Sequence, residues 1–531
     1  MTDTSTNTNQ NQVNFSKDEL VAAIRSGTLP PGADLSGADL SGADLSGAFN
    51  LADVNLTGAN LTDADLTYVT LTNAILTGAI LKGTEANGVD LSNADLKGAD
   101  LRGAVLPWAV LTRVDLSGAD LTGASLFEVM LTGAYLKDAN LQNTSMQGVS
   151  LVGAHLPYAR LRGADLTGAD LRNAVLTGVD LSGADMSGAR LTGAFLGASK
   201  IIDANLSGAD LSGADLTDAD LTNANLTDAN LTEANASNAT LLRADCVGAI
   251  MCKANLRGVT MVAADLRGAD LTGATLQGGW LATANLAGAN LTGAYLTGAL
   301  LKFANLRDAI LRGAVLVNAV LEGANAMGVD FIEADLTAAK LPEANLERAW
   351  LRGANLTGAN LSGASLKGVD LTDAYAYGAK MSGARLSGAT LSNTCLTDAV
   401  LSRAKLADAD LRGAVLRGAG LIGADLTRAN LVGVNLVKAS LIRADLTGAN
   451  LSDANLACAR LAGANLSNVN LRNADLTGAD LTDANLSGAD LTGADLTGAC
   501  LSGADLTDIK RSDEESFNTS FSESSEGKPH E

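Results

Sequence analysis

Apolar residues recur at every fifth position along most of the chain. From Leu51 to Leu506 this register holds for 92 consecutive units without an insertion or deletion, and 80 of the register residues are leucine. The other twelve are Ala86, Met146, Met186, Ile201, Ala236, Cys246, Met251, Met261, Ala326, Phe331, Ala376 and Met381. A spacing of five matches neither the period of a helix nor the alternation of a flat strand. It predicts a backbone that coils and repeats its shape every five residues, which is a solenoid.

Each position within the five-residue unit has its own chemical character. The residue two before the register leucine is small, usually alanine, and the residue directly before it is usually Asp or Asn. The two residues after leucine are commonly Ser or Thr and then Gly, which occurs at 48 of the 92 units and is typical of turns. Pro107, Pro157 and Pro342 all directly follow the register residue, where proline suits the first central position of a turn. We therefore expect a short extended segment and a turn in each unit, around a filled interior of leucine and alanine.

A short helix is predicted before the array. Ser16 and Glu19 form a capping-box pattern, and Leu20 and Ile24 follow at helical spacing. We expect an amphipathic helix from about Lys17 to Ser26 that covers the first coil and protects an open sheet edge.

The chain is predicted to have four segments. Residues 1–14 are polar and are expected to form a disordered tail, and residues 15–32 hold the capping helix and a Pro-Pro turn. The repeat array spans 33–508, with one extra residue near Phe49-Asn50, and the acidic, serine-rich residues 509–531 are expected to form a second disordered tail.

The motif Ala-Asp/Asn-Leu-x-x, repeated over residues 33–508, resembles that of the pentapeptide-repeat proteins. The resemblance implies an all-β fold, a right-handed quadrilateral β-helix with four units per coil, here with a short N-terminal capping helix. One pattern in the chain supports a twenty-residue coil independently, because valines at the small position favour one phase of that period. They are Val69, Val89, Val129, Val149, Val329, Val369 and Val469. Stacking all units at about 4.8 Å per coil predicts a rod on the order of 110 Å long.

Composition narrows the class of protein. The formal net charge of −22 argues against direct binding to nucleic acid or to an anionic membrane. No run of about 18 apolar residues predicts a membrane span, and the N-terminus lacks the features of a secretory signal. Five cysteines without a CxxC pair are typical of reduced thiols, so we expect a cytoplasmic protein.

Residues suited to catalysis are scarce. The chain has two histidines, of which His155 takes an outward Asp/Asn position and His530 lies in the C-terminal tail. Cys246 occupies a register position and is expected to be buried and inert. A filled interior offers no concave pocket for paired carboxylates. We therefore predict no enzyme activity and no catalytic, cofactor-binding or metal site.

Four outward aromatic residues are candidate partner contacts. Tyr135, Phe195, Tyr295 and Tyr375 each lie directly before a register residue and share one phase of the twenty-residue period, so they are expected along one edge. Their separations of about 14 Å or more argue against a contiguous apolar patch, and scattered surface aromatics are the simpler interpretation.

The distribution of acidic residues suggests an alternative function. Some pentapeptide-repeat proteins protect DNA gyrase by presenting an acidic rod that imitates duplex DNA. Averaged over the predicted length, the charge here is ~0.2 per Å against roughly 0.6 for DNA. Three stretches without Lys or Arg are denser, namely 27–81, 201–242 and 473–508, and the second reaches ~0.7 per Å. Its Asp215, Asp218 and Asp220 are candidate contacts.

The sequence thus favours a non-enzymatic scaffold that binds unidentified protein partners in an unknown process, as a monomer or weak dimer. The alternative is an acidic DNA mimic that binds DNA gyrase or another DNA-binding enzyme. The gyrase-protecting relatives carry a C-terminal dimerisation helix, and some have loops that interrupt the coils. The uninterrupted array and its polar end lack both features.

Overall fold

The computed structural model describes residues 15–48 and 51–511. The chain divides into two compact units, Met1–Asp270 and Leu271–Glu531. The predicted tail 1–14, the position of the extra residue at Phe49-Asn50, and 512–531 of the predicted C-terminal tail lie outside the described residues.

Helix α1 spans Lys17–Arg25, one residue shorter than predicted. Ser16 is the N-cap, and the capping box is complete because Glu19 and Ser16 hydrogen-bond in both directions. Leu20 and Ile24 face inward and are 7% and 3% exposed. The capping box and the apolar spacing therefore fold as the sequence predicts.

In both units the backbone winds into a right-handed quadrilateral β-helix. Parallel β-bridges of a single residue join positions twenty residues apart, from Asn55↔Ile75 in unit 1 to Asp490↔Lys510 in unit 2. Twenty residues are four pentapeptides, so the coil length that the resemblance implied is confirmed. The first bridges, such as Asp34↔Asn55, span twenty-one residues, as expected when one extra residue lies between their strands. The bridges continue to Lys510, two residues beyond the predicted end of the array.

Backbone hydrogen bonds between coils use three N–H donors from each pentapeptide. In the unit around Leu166, the N–H groups of Asp165, Leu166 and Gly168 donate to carbonyls of adjacent coils at 2.9, 2.7 and 3.0 Å. Since the same three positions repeat, the coils within each of the two compact units are held to their neighbours on all four sides.

The two remaining N–H groups close the turn. Ala169 N–H donates to the Leu166 carbonyl at 2.9 Å, and Gly168 has a φ of +64°, the conformation that a type II turn needs at its third residue. Thr167 donates both its N–H (3.0 Å) and its hydroxyl (2.7 Å) to Asp165 Oδ1. The Asp or Asn of the motif therefore accepts a hydrogen bond from the one backbone N–H group that no carbonyl reaches. This explains why Asp or Asn recurs at this position of the repeat.

In both compact units, the interior of the β-helix is filled by register leucines and small residues. Leu166 and Ala164 are at most 1% exposed. Cys246 is fully buried in a register position, and burial raises the pKa of its thiol. Phe331, the largest register side chain, shares its coil with Ala326, so one extra-large residue is accompanied by one small residue.

Helix α1 docks on the first coil. Lys17 Nζ donates to the Ser41 backbone carbonyl, and Arg25 pairs with Asp44 at 2.8 Å. In the first coil Leu40 is only 1% exposed, whereas Leu506 in the last described coil is half-buried. The helix thus shields leucines that would otherwise form an exposed end. Among the described residues, no helix has the length and apolar composition required to cross a membrane.

Candidate partner-contact surface

A continuous strip of apolar and aromatic side chains runs across four coils of unit 1. Tyr135, His155, Val175 and Phe195 are successive members of one row of parallel bridges. We call this strip the aromatic column. At about 4.8 Å per coil it extends over roughly 14 Å from Tyr135 to Phe195.

Tyr135 and Phe195 are three coils apart, and His155 and Val175 occupy the same row on the two coils between them. The rings of Tyr135 and His155 stack with centroids 5.3 Å apart and an interplanar angle of 20°. Val175 then bridges His155 to Phe195. The sequence analysis considered only Tyr and Phe and left out the residues on the two coils between them. Inspection of every twentieth residue after Tyr135 would have found His155 and Val175.

The column presents its rings to solvent on a rigid backbone. Tyr135 is 49% exposed and Phe195 is 50% exposed, while Val175 is half-buried. The backbone N–H groups beneath Tyr135 and Phe195 donate to carbonyls of the preceding coil at 2.8 and 2.9 Å. The strip is therefore held in place before any partner arrives.

Acidic residues lie at both ends of the column. Asp115 bridges to Tyr135 and pairs with Lys97 at 2.9 Å. Burial opposes ionisation of Asp115, but hydrogen bonds from Ser117 and Lys97 outweigh it and hold its pKa below the ordinary value. At the other end Asp215 bridges directly to Phe195. The candidate residues Phe195 and Asp215 thus share one surface.

The two candidate aromatics of unit 2 are isolated from each other. Tyr295 lies between Thr275 and Val315 in its row of bridges. Tyr375, 60% exposed, lies further along the same row with Asn355 and Cys395 as its neighbours. Neither tyrosine has an aromatic neighbour in that row, so among the described residues of unit 2 this row holds no counterpart of the column.

The three candidate aspartates occupy one coil but face different surroundings. Asp215 and Asp220 each use Oδ1 to cap their own turn, accepting the hydroxyls of Thr217 and Thr222 at 2.5 and 2.6 Å. Asp218 is exposed and occupies the third position of its turn, like Gly168, with a φ of +58°. Two of the three carboxylates therefore support the local backbone as well as carrying charge.

Cations from adjacent coils interrupt the acidic stretch 201–242. Lys200 bridges to Asp220, and Arg190 bridges to Asp210. On the other side Lys253 lies 3.6 Å from Glu233. The linear sequence does not reveal these cations because each lies twenty residues away from the acid that it adjoins. The charge density presented by this surface is therefore lower than the density counted along the sequence.

A second aromatic contact was missed by the sequence analysis. Trp108 and Phe127 meet edge to face with ring centroids 6.2 Å apart, and Trp108 Nε1 donates to Glu128 Oε2 at 3.1 Å. Both aromatic residues are turn residues of consecutive coils. The nineteen-residue offset between Trp108 and Phe127 is the sequence signal that could have predicted their contact.

Three exposed turn-capping aspartates, Asp34, Asp495 and Asp505, have lowered pKa values. The hydroxyl of Ser36, and then its backbone N–H, lower the pKa of Asp34 from its usual 3.8. Thr497 and Thr507 act in the same way on Asp495 and Asp505. Each carboxylate accepts these hydrogen bonds better when ionised, so folding favours its charged form.

Acidification is therefore expected to destabilise the fold. A pKa that is lower in the folded state contributes stability above the unfolded value near 3.8, and this contribution is lost as pH falls through the folded-state pKa. We expect the urea midpoint to fall between about pH 5 and pH 2. A variant with Asn at positions 34, 495 and 505 keeps the acceptor oxygen but cannot titrate, so its midpoint should fall less. Equal acid sensitivity in both proteins would contradict this account.

No metal-binding constellation accompanies the candidate surface. In the part of the chain that the structure describes, no group of three or more His, Cys, Asp or Glu side chains could hold a metal ion.

A family profile described as pentapeptide repeats (8 copies) matches thirteen segments between residues 27 and 508. The matched segments are 27–49, 50–83, 90–126, 128–157, 158–193, 204–241, 241–278, 284–323, 330–368, 354–393, 394–433, 435–473 and 470–508. They cover most of the chain, and the profile is not that of an enzyme. A search of curated protein sequences gave no significant match.

Several solved structures are similar to parts of the chain. HetL, a pentapeptide-repeat protein involved in heterocyst differentiation regulation from the cyanobacterium Nostoc sp. strain PCC 7120, is 34% identical over 47% of this chain and 89% of its own, with a TM-score of 0.16. Rfr23 from the cyanobacterium Cyanothece 51142 is 36% identical over 20% of this chain and 64% of its own, with a TM-score of 0.13. QnrB1, a plasmid-mediated fluoroquinolone resistance protein, is 20% identical over 41% of this chain and 90% of its own, with a TM-score of 0.19. These TM-scores are low, so the assignment to a family rests on the repeat profile.

Proposed function

The chain belongs to the pentapeptide-repeat family, and on that basis we propose that it is a non-enzymatic, cytoplasmic scaffold that binds a protein partner through the aromatic column. The contiguity of Tyr135, His155, Val175 and Phe195 is the observation that supports this proposal most directly.

Physical properties of the column suit protein recognition. Tyrosine and other aromatic side chains contribute a large share of binding energy at interfaces, since they bury much area at little conformational cost. The column is fixed by the inter-coil ladder, so binding would require little ordering of the backbone. Asp115 is already paired with Lys97, so it is Asp215 at the other end that favours a partner with an apolar centre next to a basic residue.

A matched pair of variants tests this proposal. Tyr135→Asn with Phe195→Asn removes the column, and Tyr295→Asn with Tyr375→Asn removes the same residue class at the same unit position in unit 2. Asn is common at this position and can cap the turn, so both variants should fold. Crosslinked partners from the native cytoplasm would be measured by mass spectrometry. We expect the column variant to recover about tenfold less of a partner that wild type and the control both retain. Equal recovery by all three proteins would refute the assignment.

A second candidate function follows from the acidic stretch 201–242. As a DNA mimic, the chain would inhibit DNA gyrase or another enzyme with a basic DNA-binding surface. Asp215, Asp218 and Asp220 present three carboxylates on one coil and support this candidate, while Lys200 beside Asp220 opposes it.

The same purified proteins distinguish the two candidates in a supercoiling assay. A scaffold that binds through the column should leave gyrase activity unchanged. A mimic should inhibit it, and inhibition should be lost in a variant with Asp215→Asn, Asp218→Asn and Asp220→Asn. Asn retains the turn caps at 215 and 220, so this variant removes charge without removing the acceptor, whereas lysine would remove both.

A further inference from the structure

One face of unit 2 reverses the usual charge of the repeat. Ser365, Arg385 and Lys405 are successive members of a row of bridges, between Asn345 and Asp425. Asp or Asn is usual at this position, so three consecutive coils lack the customary turn-capping side chain. Two of the three carry a cation in its place, within a chain whose formal net charge is −22.

A third cation joins them from the adjacent turn. Lys367 follows Ser365 by two residues, the spacing at which Arg102 pairs with Asp100 at 2.6 Å elsewhere in the chain. Because position 365 is a serine, Lys367 has no such local carboxylate. Among the described residues neither Lys367 nor Arg385 forms an ion pair, and Lys405 has only a distant contact of 3.8 Å with Asp425.

These side chains line a groove with a volume of about 420 Å³. Its lining residues are Glu347, Ser365, Lys367, Arg385, Ser387 and Lys405. The hydroxyl of buried Ser365 donates to Glu347 Oε1 at 2.8 Å, so the one carboxylate of the groove already has a hydrogen-bond donor. Half-buried Ser387 supplies a second hydroxyl between the cations.

We propose that this groove binds a phosphoryl-bearing anion of diphosphate size. The planar guanidinium of Arg385 can donate two parallel hydrogen bonds to phosphate oxygens. Lys367 and Lys405 lie on the coils at either side, about 4.8 Å away along the stack, and supply point charges to adjacent oxygens. The lining holds three cations and one carboxylate, and Asp425 contacts Lys405 at 3.8 Å from outside the groove, so the groove has an excess of positive charge that favours an anion.

The spacing of the cations distinguishes a diphosphate from a single small anion. Lys367 and Lys405 belong to coils roughly 10 Å apart, which exceeds the width of one phosphate group. One phosphate can contact Arg385 and one lysine, whereas a diphosphate can contact all three cations. Inorganic diphosphate and a nucleoside diphosphate share this chemistry, and the experiment below separates them.

The test is a calorimetric titration of the full chain with inorganic diphosphate, inorganic phosphate and adenosine diphosphate at low salt. The groove variant combines Lys367→Gln, Arg385→Asn and Lys405→Asn. Asn occupies the row of Arg385 and Lys405 at Asn325 and Asn345, and Gln occupies the turn position of Lys367 at Gln142 and Gln147, so these changes suit the fold. The control is Lys380→Asn, which changes an exposed cation at the same unit position on the neighbouring face.

We expect one diphosphate per chain, bound more tightly than phosphate. Affinity should fall at least about tenfold in the groove variant and stay unchanged in Lys380→Asn. Tighter binding of adenosine diphosphate would show that the organic part also contacts the groove, and equal binding would show that the inorganic anion is sufficient. Undetectable binding to wild type, or equal binding by the groove variant, would overturn the proposal. Circular dichroism of each variant establishes that it is folded.

Discussion

Leu166→Asp is expected to unfold the coils around residue 166. Leu166 is fully buried, so the variant loses the burial of a leucine and places a carboxylate in a hydrocarbon interior. Together these effects should cost more than about 5 kcal/mol in the free energy of unfolding. Each coil is stabilised chiefly by its neighbours, so the loss should spread to adjacent coils. Thermal melts and hydrogen exchange of residues near 166 measure the effect.

Two variants control for the change of residue. Leu166→Met should cost less than about 1.5 kcal/mol, because the substitution nearly conserves volume. Met146 and Met186 already occupy the same position on the coils at either side. Thr177→Asp adds the same charge to a turn at the surface and should leave the melt nearly unchanged. An unaltered melt for Leu166→Asp would refute the filled interior.

Detaching helix α1 is expected to have the second largest effect. Leu20→Asp with Ile24→Asp places two charges where the helix packs on the first coil, and should cost roughly 3–5 kcal/mol locally. Leu35 and Leu40 would then lose their cover. We expect hydrogen exchange to accelerate over residues 33–48, while exchange in the coils of unit 2 stays unchanged.

Ala22→Asp is the matched control for the helix. Ala22 is exposed on the same helix, so it receives the same charge without disturbing the buried face. Protection of residues 33–48 should therefore survive in this variant. If the double variant also retains full protection, the helix does not stabilise the first coil.

Local chemistry was readable from the sequence because the pentapeptide is a local unit. Asp165, Leu166 and Gly168 predicted a polar residue, a buried residue and a turn, and the structure shows all three. The structure goes further at the turn, since residues such as Trp108 and Arg113 adopt a positive φ there without being glycine. Tertiary hydrogen bonds to the adjacent coil impose that conformation on whichever residue occupies the position.

Which side chains are neighbours on the surface was much harder to predict, because neighbours on one face are twenty residues apart in sequence. His155 was interpreted alone, yet it stacks on Tyr135 and helps to complete the aromatic column. Lys200 lies outside the acidic stretch when residues are counted in order, yet it adjoins Asp220 on the surface. The cationic groove of unit 2 was not recognised for the same reason.

The repeating unit, the buried register and the helix that precedes it could all be predicted from the amino-acid sequence. These depend on the hydrophobicity and turn preference of residues within five positions of one another. The contacts among outward side chains became visible in the folded chain, because stacking of the coils sets the spacing between residues twenty apart. The aromatic column and the cationic groove arise from that stacking, and the proposed functions depend on it.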